Sequence, residues 1–239
     1  MPLSLDLNSL AGAAVRGFLN PVLYYLVLLQ AYDRLLAQTA MVINYLWPVV
    51  IVLLSIPILG QKIRLSVLGT VLLSFSGVVV MALFGRSGGG DILSDFPAAG
   101  MALFSTVVWS LYWLLNMRDT RPGDQKLLLN LSFGIVFLTV FGILSGGFGR
   151  FSIGVIAGGI YIGIFEMGLA YLLWMKSLTL ATTTAEVGNL VFLTPFIALV
   201  LIGVTVGERI GMATIAGLVL VMAGIVIQRR LQPALLRRS

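Results

Sequence analysis

Two carboxylates sit at a depth where a lipid bilayer rarely tolerates them. Glu166 lies ten residues before Lys176 and Glu186 ten after it, inside apolar stretches joined near residues 176–180. At 1.5 Å of rise per residue, each is roughly 15 Å from that connection, near the middle of a membrane. An ionisable side chain at such depth is a functional candidate by default. Low dielectric and a second carboxylate nearby both favour the neutral acid. Such a pair is suited to exchanging a proton for a cationic group. A protonated, hydrogen-bonded pair that serves helix packing satisfies the same spacing. Thr182, Glu186 and Asn189 follow i, i+4, i+7 spacing, and a polar stripe of that kind must face protein or water rather than lipid.

Prolines and aromatics mark a similar depth elsewhere. Pro48 and Pro195 fall near the middle of apolar stretches. Each removes one backbone hydrogen bond and crowds the carbonyl four residues earlier, at Asn44 and Val191. Both are read as hinge positions, a static kink being the alternative. Asn44, Tyr45 and Trp47 stand beside Pro48, while Trp109, Tyr112 and Tyr161 lie deeper than an interfacial belt would place them. Together with Glu166, Glu186 and Asn189 they form the candidate set for contacting a flat or amphipathic solute, or for stacking on a cation. Core packing explains any single aromatic at least as well. Gly159 and Gly163 make the helix face beside Glu166 small, which suits close helix contact or a groove beside the carboxylate.

These residues need a membrane around them, and the composition supplies it. Of 239 residues, 59% are hydrophobic and 10% charged, with a mean hydropathy of +1.06. A soluble domain of this size needs far more polar surface. The chain has no cysteine and no histidine, which excludes thiol catalysis, disulfides and the imidazole proton shuttle. No metal cluster, nucleophile–base constellation or phosphate-cradling glycine loop is visible, so neither an enzyme nor a cofactor is expected. The net charge of +6 does not argue for nucleic acid, because the basic residues sit at span ends and in short loops. Residues 1–15 carry no Lys or Arg and include Asp6, so no cleavable signal peptide is read there.

Hydropathy and turn chemistry predict eight spans, near 13–33, 38–59, 65–85, 96–117, 126–146, 151–175, 180–206 and 210–228. With the N-terminus in the cytoplasm, eleven basic residues fall inside, Arg16, Lys62 and Arg118 among them. Four fall outside: Arg34, Arg86, Arg150 and Arg209. That bias places both termini on the cytoplasmic side. The Arg229–Arg238 tail either touches anionic headgroups or serves as a plain stop-transfer flank. Asp33-Arg34 and Glu208-Arg209 are read as solvated pairs at the outer ends.

The chain also repeats itself. A shift of 147 puts Tyr24 on Tyr171, Pro48 on Pro195, Gly60 on Gly207 and Gly77 on Gly224 without gaps. Equivalent spans are five apart, and an odd step inverts orientation. Inverted halves that rock about a central site are typical of secondary transporters. The halves are unequal: residues 1–85 hold three spans, 86–95 an outer loop, 96–230 five spans and 231–239 a basic tail. The first half lacks a counterpart of residues 96–147, so either two spans are missing at its start or this is a genuine eight-span form. Glu166 pairs with Leu19 and Glu186 with Thr39, which favours a dedicated role for the acids over a requirement of the fold.

Asn44-Tyr45-Leu46-Trp47-Pro48 followed by Gly60-Gln61-Lys62, Ala170-Tyr171-Leu172-Leu173-Trp174, and Leu193-Thr194-Pro195 followed by Gly207-Glu208-Arg209 resemble a known family. It is the EamA-type branch of the drug/metabolite transporter superfamily, nearest the aromatic amino-acid exporters. The resemblance implies an all-α polytopic membrane protein with an inverted-repeat, EamA-like arrangement of three plus five spans. It implies export of a small organic metabolite, such as an amino acid, across a bacterial-type inner membrane. The expected partners are a small-molecule substrate and membrane lipid, with protons and self-association left open and nucleic acid excluded. The rival expectation is a non-transporting membrane component that works only with a partner or after two N-terminal spans are restored.

Overall fold

The structure is a computed structural model that describes residues 7–60, 65–84, 92, 95–147, 149, 152–170, 173 and 194–231. Among them the regular structure is entirely helical and forms eight rods, as the hydropathy predicts. Four are long and apolar enough to cross a membrane: Ser9–Arg34, Ala37–Leu59, Phe96–Arg118 and Gly123–Leu144. The shorter apolar helices are Gly69–Met81, Ile153–Leu169, Thr194–Thr205 and Met212–Ile227. The chain divides into two compact units, Met1–Leu138 with Ala198–Ser239, and Thr139–Ile197.

In the first unit, two spans are broken. Helices α1 (Leu7–Gly17) and α2 (Tyr24–Arg34) are joined by a kink within Phe18–Leu23, where Asn20 leaves helical geometry with φ −145° and ψ 119°. The cause is local. Pro21 has no N–H to offer the preceding turn, and its ring steers Asn20 away from the helical region. Helices α3 (Ala37–Asn44) and α4 (Trp47–Leu59) are separated by a turn at Tyr45–Leu46. The expected bend at Pro48 is therefore a break one turn earlier. Pro48 itself lies in the first turn of α4, where a missing N–H is harmless.

Helix α5 (Leu65–Phe84) lies against α10 (Met212–Leu231), and the chain between them includes α6 (Phe96–Arg118) and α7 (Gly123–Leu144). The α5–α10 contact depends on absent side chains. A Cβ on Gly77 would collide with the Gly217 carbonyl oxygen, and one on Gly224 would lie 2.7 Å from the Thr70 carbonyl oxygen and collide with Ser74 Oγ. Under the 147-residue shift, the pair 77–217 becomes 224–70. The Ser74 hydroxyl donates to the Val221 carbonyl at 3.2 Å, across a separation of 147 residues. The same pair of patches therefore meets twice, which is the form of a two-fold contact.

The repeat is visible in backbone detail too. Gly60 ends α4 at φ 68°, and Gly207 ends the helical rod made of α9 (Thr194–Leu201) and the π-helical Ile202–Val206 at φ 76°. Both take the left-handed cap that glycine adopts without steric penalty. In the second unit, α8 (Ile153–Tyr161) runs into a π-helical segment, Ile162–Leu169.

Candidate functional site

Helix α6 organises the interior of the first unit. It packs against α2, α3 and α4 and opens with Asp95, whose carboxylate accepts from the Ala98 N–H at 3.1 Å. Pro97 sits in its first turn. Its inward face carries Ser105, Thr106, Ser110, Tyr112 and Asn116, all buried. Buried polar groups need partners, and the broken spans provide several. The Tyr24 hydroxyl donates to Asn44 Oδ1 at 3.3 Å, and Asn44 Nδ2 donates to Ser105 Oγ at 2.9 Å. Ser110 Oγ donates to the Trp47 carbonyl at 3.0 Å, on the first residue after the α3–α4 break.

Aromatic rings line the same place. Tyr24 lies 4.7 Å from Trp109, and Trp109 contacts Tyr112 at 6.1 Å and Trp113 at 5.9 Å. Tyr112 is buried in one core cluster with Leu19, Tyr24, Leu28 and Val108, with Trp109 and Trp113 packed against it. Asn20 lies at the edge of this region. It is buried, and its Oδ1 has no hydrogen-bond partner among the described residues. An unsatisfied buried acceptor at a helix break calls for a donor.

A second polar cluster closes the Arg16 end of the same helices. Arg16 donates to Asn130 Oδ1 at 3.4 Å and pairs with Asp119 at 2.6 Å. Arg121 also pairs with Asp119, at 2.5 Å. Asn130 Nδ2 reaches Asn116 Oδ1 at 3.1 Å and the Tyr112 hydroxyl at 3.4 Å. The Arg121 hydrogen bonds, with the charge of Arg16 behind them, hold the Asp119 carboxyl down to about 2 against the opposing effect of burial. Close helix approach permits the cluster: a Cβ on Gly17 would lie 2.5 Å from the Asn130 carbonyl oxygen, and one on Gly134 would lie 2.6 Å from Pro21 Cδ.

At the other end the two acids read as solvated or overlooked have defined partners. Asp95 accepts a two-pronged bond from Arg34, at 2.6 and 2.8 Å, and this holds its carboxyl below the usual range. Glu208 is not a solvated pair with Arg209. Its carboxylate accepts from the Ala37 N–H at 2.7 Å and the Gln38 N–H at 3.1 Å. These are first-turn donors of α3 with no partner inside the helix. Close by is a cavity of about 220 Å³ lined by Leu36, Gln38, Thr39, Met81, Phe84, Ile92 and residues 211–214.

The sequence-nominated residues therefore fall in several places. Asn44, Tyr45, Trp47, Pro48, Trp109 and Tyr112 lie in the first unit, at or beside the α3–α4 break and along α6. Tyr161 and Glu166 lie in the second, Tyr161 stacked on Phe165 at 4.9 Å and Glu166 within the π-helical turn. Pro195 is buried near the start of α9 as described. Glu186 and Asn189 lie outside the described residues. Sequence reasoning missed Arg16, Asn20, Asp119, Asn130 and Glu208. Asn20-Pro21 carried a signal, since a polar residue before a mid-span proline marks a break. Arg16 and Asp119 offered none, because span ends routinely carry charge.

The profile of the EamA-like transporter family matches residues 2–83 and 96–229. An uncharacterized transporter of Clostridium kluyveri is 26% identical over 235 residues, covering 94% of this chain and 74% of its own length. The uncharacterized transporter YvbV of Bacillus subtilis is 25% identical over 215 residues, covering 88% and 69%. A crystal structure of a protein at 21% identity superposes with a TM-score of 0.57 over 96% of this chain and 91% of that one, a likeness of fold. The profile covers almost all of a chain whose described helices are apolar and two of whose four long spans are broken around buried polar groups: it is an integral membrane protein of the EamA-like transporter family, within the drug/metabolite transporter superfamily, and not an enzyme.

Proposed function

We propose that the chain is a secondary transporter that exports small organic metabolites, amino acids among them, across the inner membrane by alternating access. One observation carries the reading. Near the centre of the 26-residue span Ser9–Arg34 the helix is broken, and at that break the buried Asn20 Oδ1 has no partner among the described residues. Broken helices with polar groups near the midplane are typical solute sites in inverted-repeat transporters. In this reading Asn44, Tyr45, Trp47, Trp109, Tyr112 and Tyr161 contact the solute in the open states, joined by Asn20. The spans with Pro48 and Pro195 bend, Glu166 and Glu186 take the ammonium or a coupling proton, and Asn189 contacts the solute. The π-helical turn around Glu166 supports a functional role, because such turns are frequent at functional sites. Residues 1–85 serve as a partial first repeat of three spans and 96–230 as a second of five, with both termini cytoplasmic. The matched caps at Gly60 and Gly207 and the two-fold α5–α10 contact support this division.

The test is uptake by the purified chain in liposomes, from a panel of amino acids, against an imposed pH gradient. The expected result is saturable flux that is lost or uncoupled from the gradient in Glu166→Gln. Unchanged pH-dependent flux in that variant would remove the carboxylate from the mechanism. A second reading has its own observation: the chain spans 74% and 69% of the two relatives' lengths. Under it, transport needs a partner or two further N-terminal spans, and flux appears only when these are supplied.

A further inference from the structure

The geometry points to Glu208 as the residue that holds a gate shut, by gripping the N-terminal end of the half-helix α3. This inference rests on the transporter reading, in which the broken span moves. Helix α3 is eight residues long and ends at the Tyr45–Leu46 break, so it can tilt about that break as a short rigid piece. Its far end is held at three points, all from the loop before α10 or from α10 itself. The Glu208 carboxylate takes the N–H groups of Ala37 and Gln38 at 2.7 and 3.1 Å. Gln38 Nε2 donates to the Arg209 carbonyl at 3.1 Å, and Thr214 Oγ1 donates to Gln38 Oε1 at 2.8 Å. Gln38 is 2% exposed and Thr214 6%, so water does not readily compete for these bonds. A carboxylate at a helix N-terminus gains both from charge-assisted hydrogen bonds and from the helix dipole. It can be released as one unit when the loop shifts.

The cavity of about 220 Å³ shares these residues: Leu36, Gln38 and Thr39 form one wall, and residues 211–214 another. Tilting α3 away from α10 separates those walls and opens the cavity toward the surface. In the inward-N-terminus reading this is the outer face, so Glu208 is an outer-gate positioning residue. It acts through α3 and does not itself touch the solute.

The chain contains no cysteine, so one introduced thiol reports access without background. Thr39→Cys places it in the cavity wall, where Thr39 is 6% exposed. In sealed right-side-out vesicles, a membrane-impermeant methanethiosulfonate cation is added outside and the rate of modification is read. Thr39→Cys alone should react slowly. Adding Glu208→Gln should raise the rate at least about tenfold, the effect of losing a charge-assisted bond that holds a closed state. Thr214→Val cuts the same grip from α10 and should raise it less. Asp33→Cys, at the exposed end of α2, should react at the same rate in every background. Should Glu208→Gln fail to fold, Glu208→Asp and Thr214→Val, each run on monodisperse protein, carry the comparison. An unchanged Thr39→Cys rate in the variants that fold, with Asp33→Cys reacting normally, overturns the gate. The labelling needs no substrate. A gate that opens on cue in a protein that moves nothing would count against the transport reading alone, and steady flux with an indifferent Thr39→Cys would count against the gate alone.

Discussion

The α5–α10 contact and the interior around α6 solve opposite problems. Between α5 and α10 the backbones touch where Gly77, Gly217 and Gly224 lack side chains, and the Ser74–Val221 bond sits amid that close packing. In lipid, close approach of this kind replaces the hydrophobic driving force that water would supply. Around α6 the spans are broken, aromatics crowd together, and polar side chains run from Tyr24 through Asn44 to Ser105. The first region has one way to fit and tolerates no added atom. The second joins several polar partners by hydrogen bonds and holds an acceptor, Asn20 Oδ1, that uses none among the described residues.

The largest expected effect belongs to the interior's charged end. Asp119→Ala leaves Arg16, whose side chain is 9% exposed, without its carboxylate. The loss should be about 3–5 kcal/mol, the usual result of breaking a buried pair from one side, read as a fall in melting temperature in detergent. The same carboxylate sets a pH dependence. In the folded chain it is held down to about 2, below the ordinary aspartate value of 3.8. Its contribution is therefore complete above about pH 4 and disappears as pH falls toward about 2. Asp119→Asn should flatten the melting curve's dependence on pH across that window. An equal slope in both proteins would break the assignment.

Next comes the seam. Gly224→Ala pushes a methyl against Ser74 Oγ and the Thr70 carbonyl, and backbone cannot move aside as a flexible side chain can. A loss of about 1–3 kcal/mol is expected. Gly100→Ala in α6 is the control, since its Cβ meets nothing within 4 Å. It should be neutral or stabilising by up to about 1 kcal/mol. Equal losses at both glycines would erase the distinction between the regions. The smallest effect is expected from Tyr24→Phe, which removes one 3.3 Å bond to Asn44. Membrane hydrogen bonds of this type average about 0.6 kcal/mol. If the polar line serves the solute, this variant should change transport KM far more than stability. A matched change in both would make the line structural.

Much of the fold was legible in the sequence. Apolar stretches of bilayer length must become helices, because only helices satisfy every backbone group within one segment in lipid. Glycine followed by polar residues marked the caps at Gly60 and Gly207, and the 147-residue shift paired Gly77 with Gly224. Proline before position 49 announced a break in that span, although the turn lies at Tyr45–Leu46 rather than at the ring. The site was legible only in part. Asn44, Trp109 and Tyr112 could be nominated because polar and aromatic residues are conspicuous within apolar helices. Their bonds to Tyr24, Ser105 and Asn130 could not be, because helical spacing says which face a residue shares and not which helix it meets.

Composition and periodicity thus determined the membrane class, the number of rods and the repeat, since these depend on chain-local terms: hydropathy, backbone hydrogen bonding and proline chemistry. Tertiary structure alone decided which charges were partners. Arg16 and Asp119 are 103 residues apart and Glu208 and Ala37 are 171 apart. Each looks like an ordinary span-end residue in the sequence. What makes one a buried ion pair and the other a helix cap is proximity created by packing, and no local pattern encodes it.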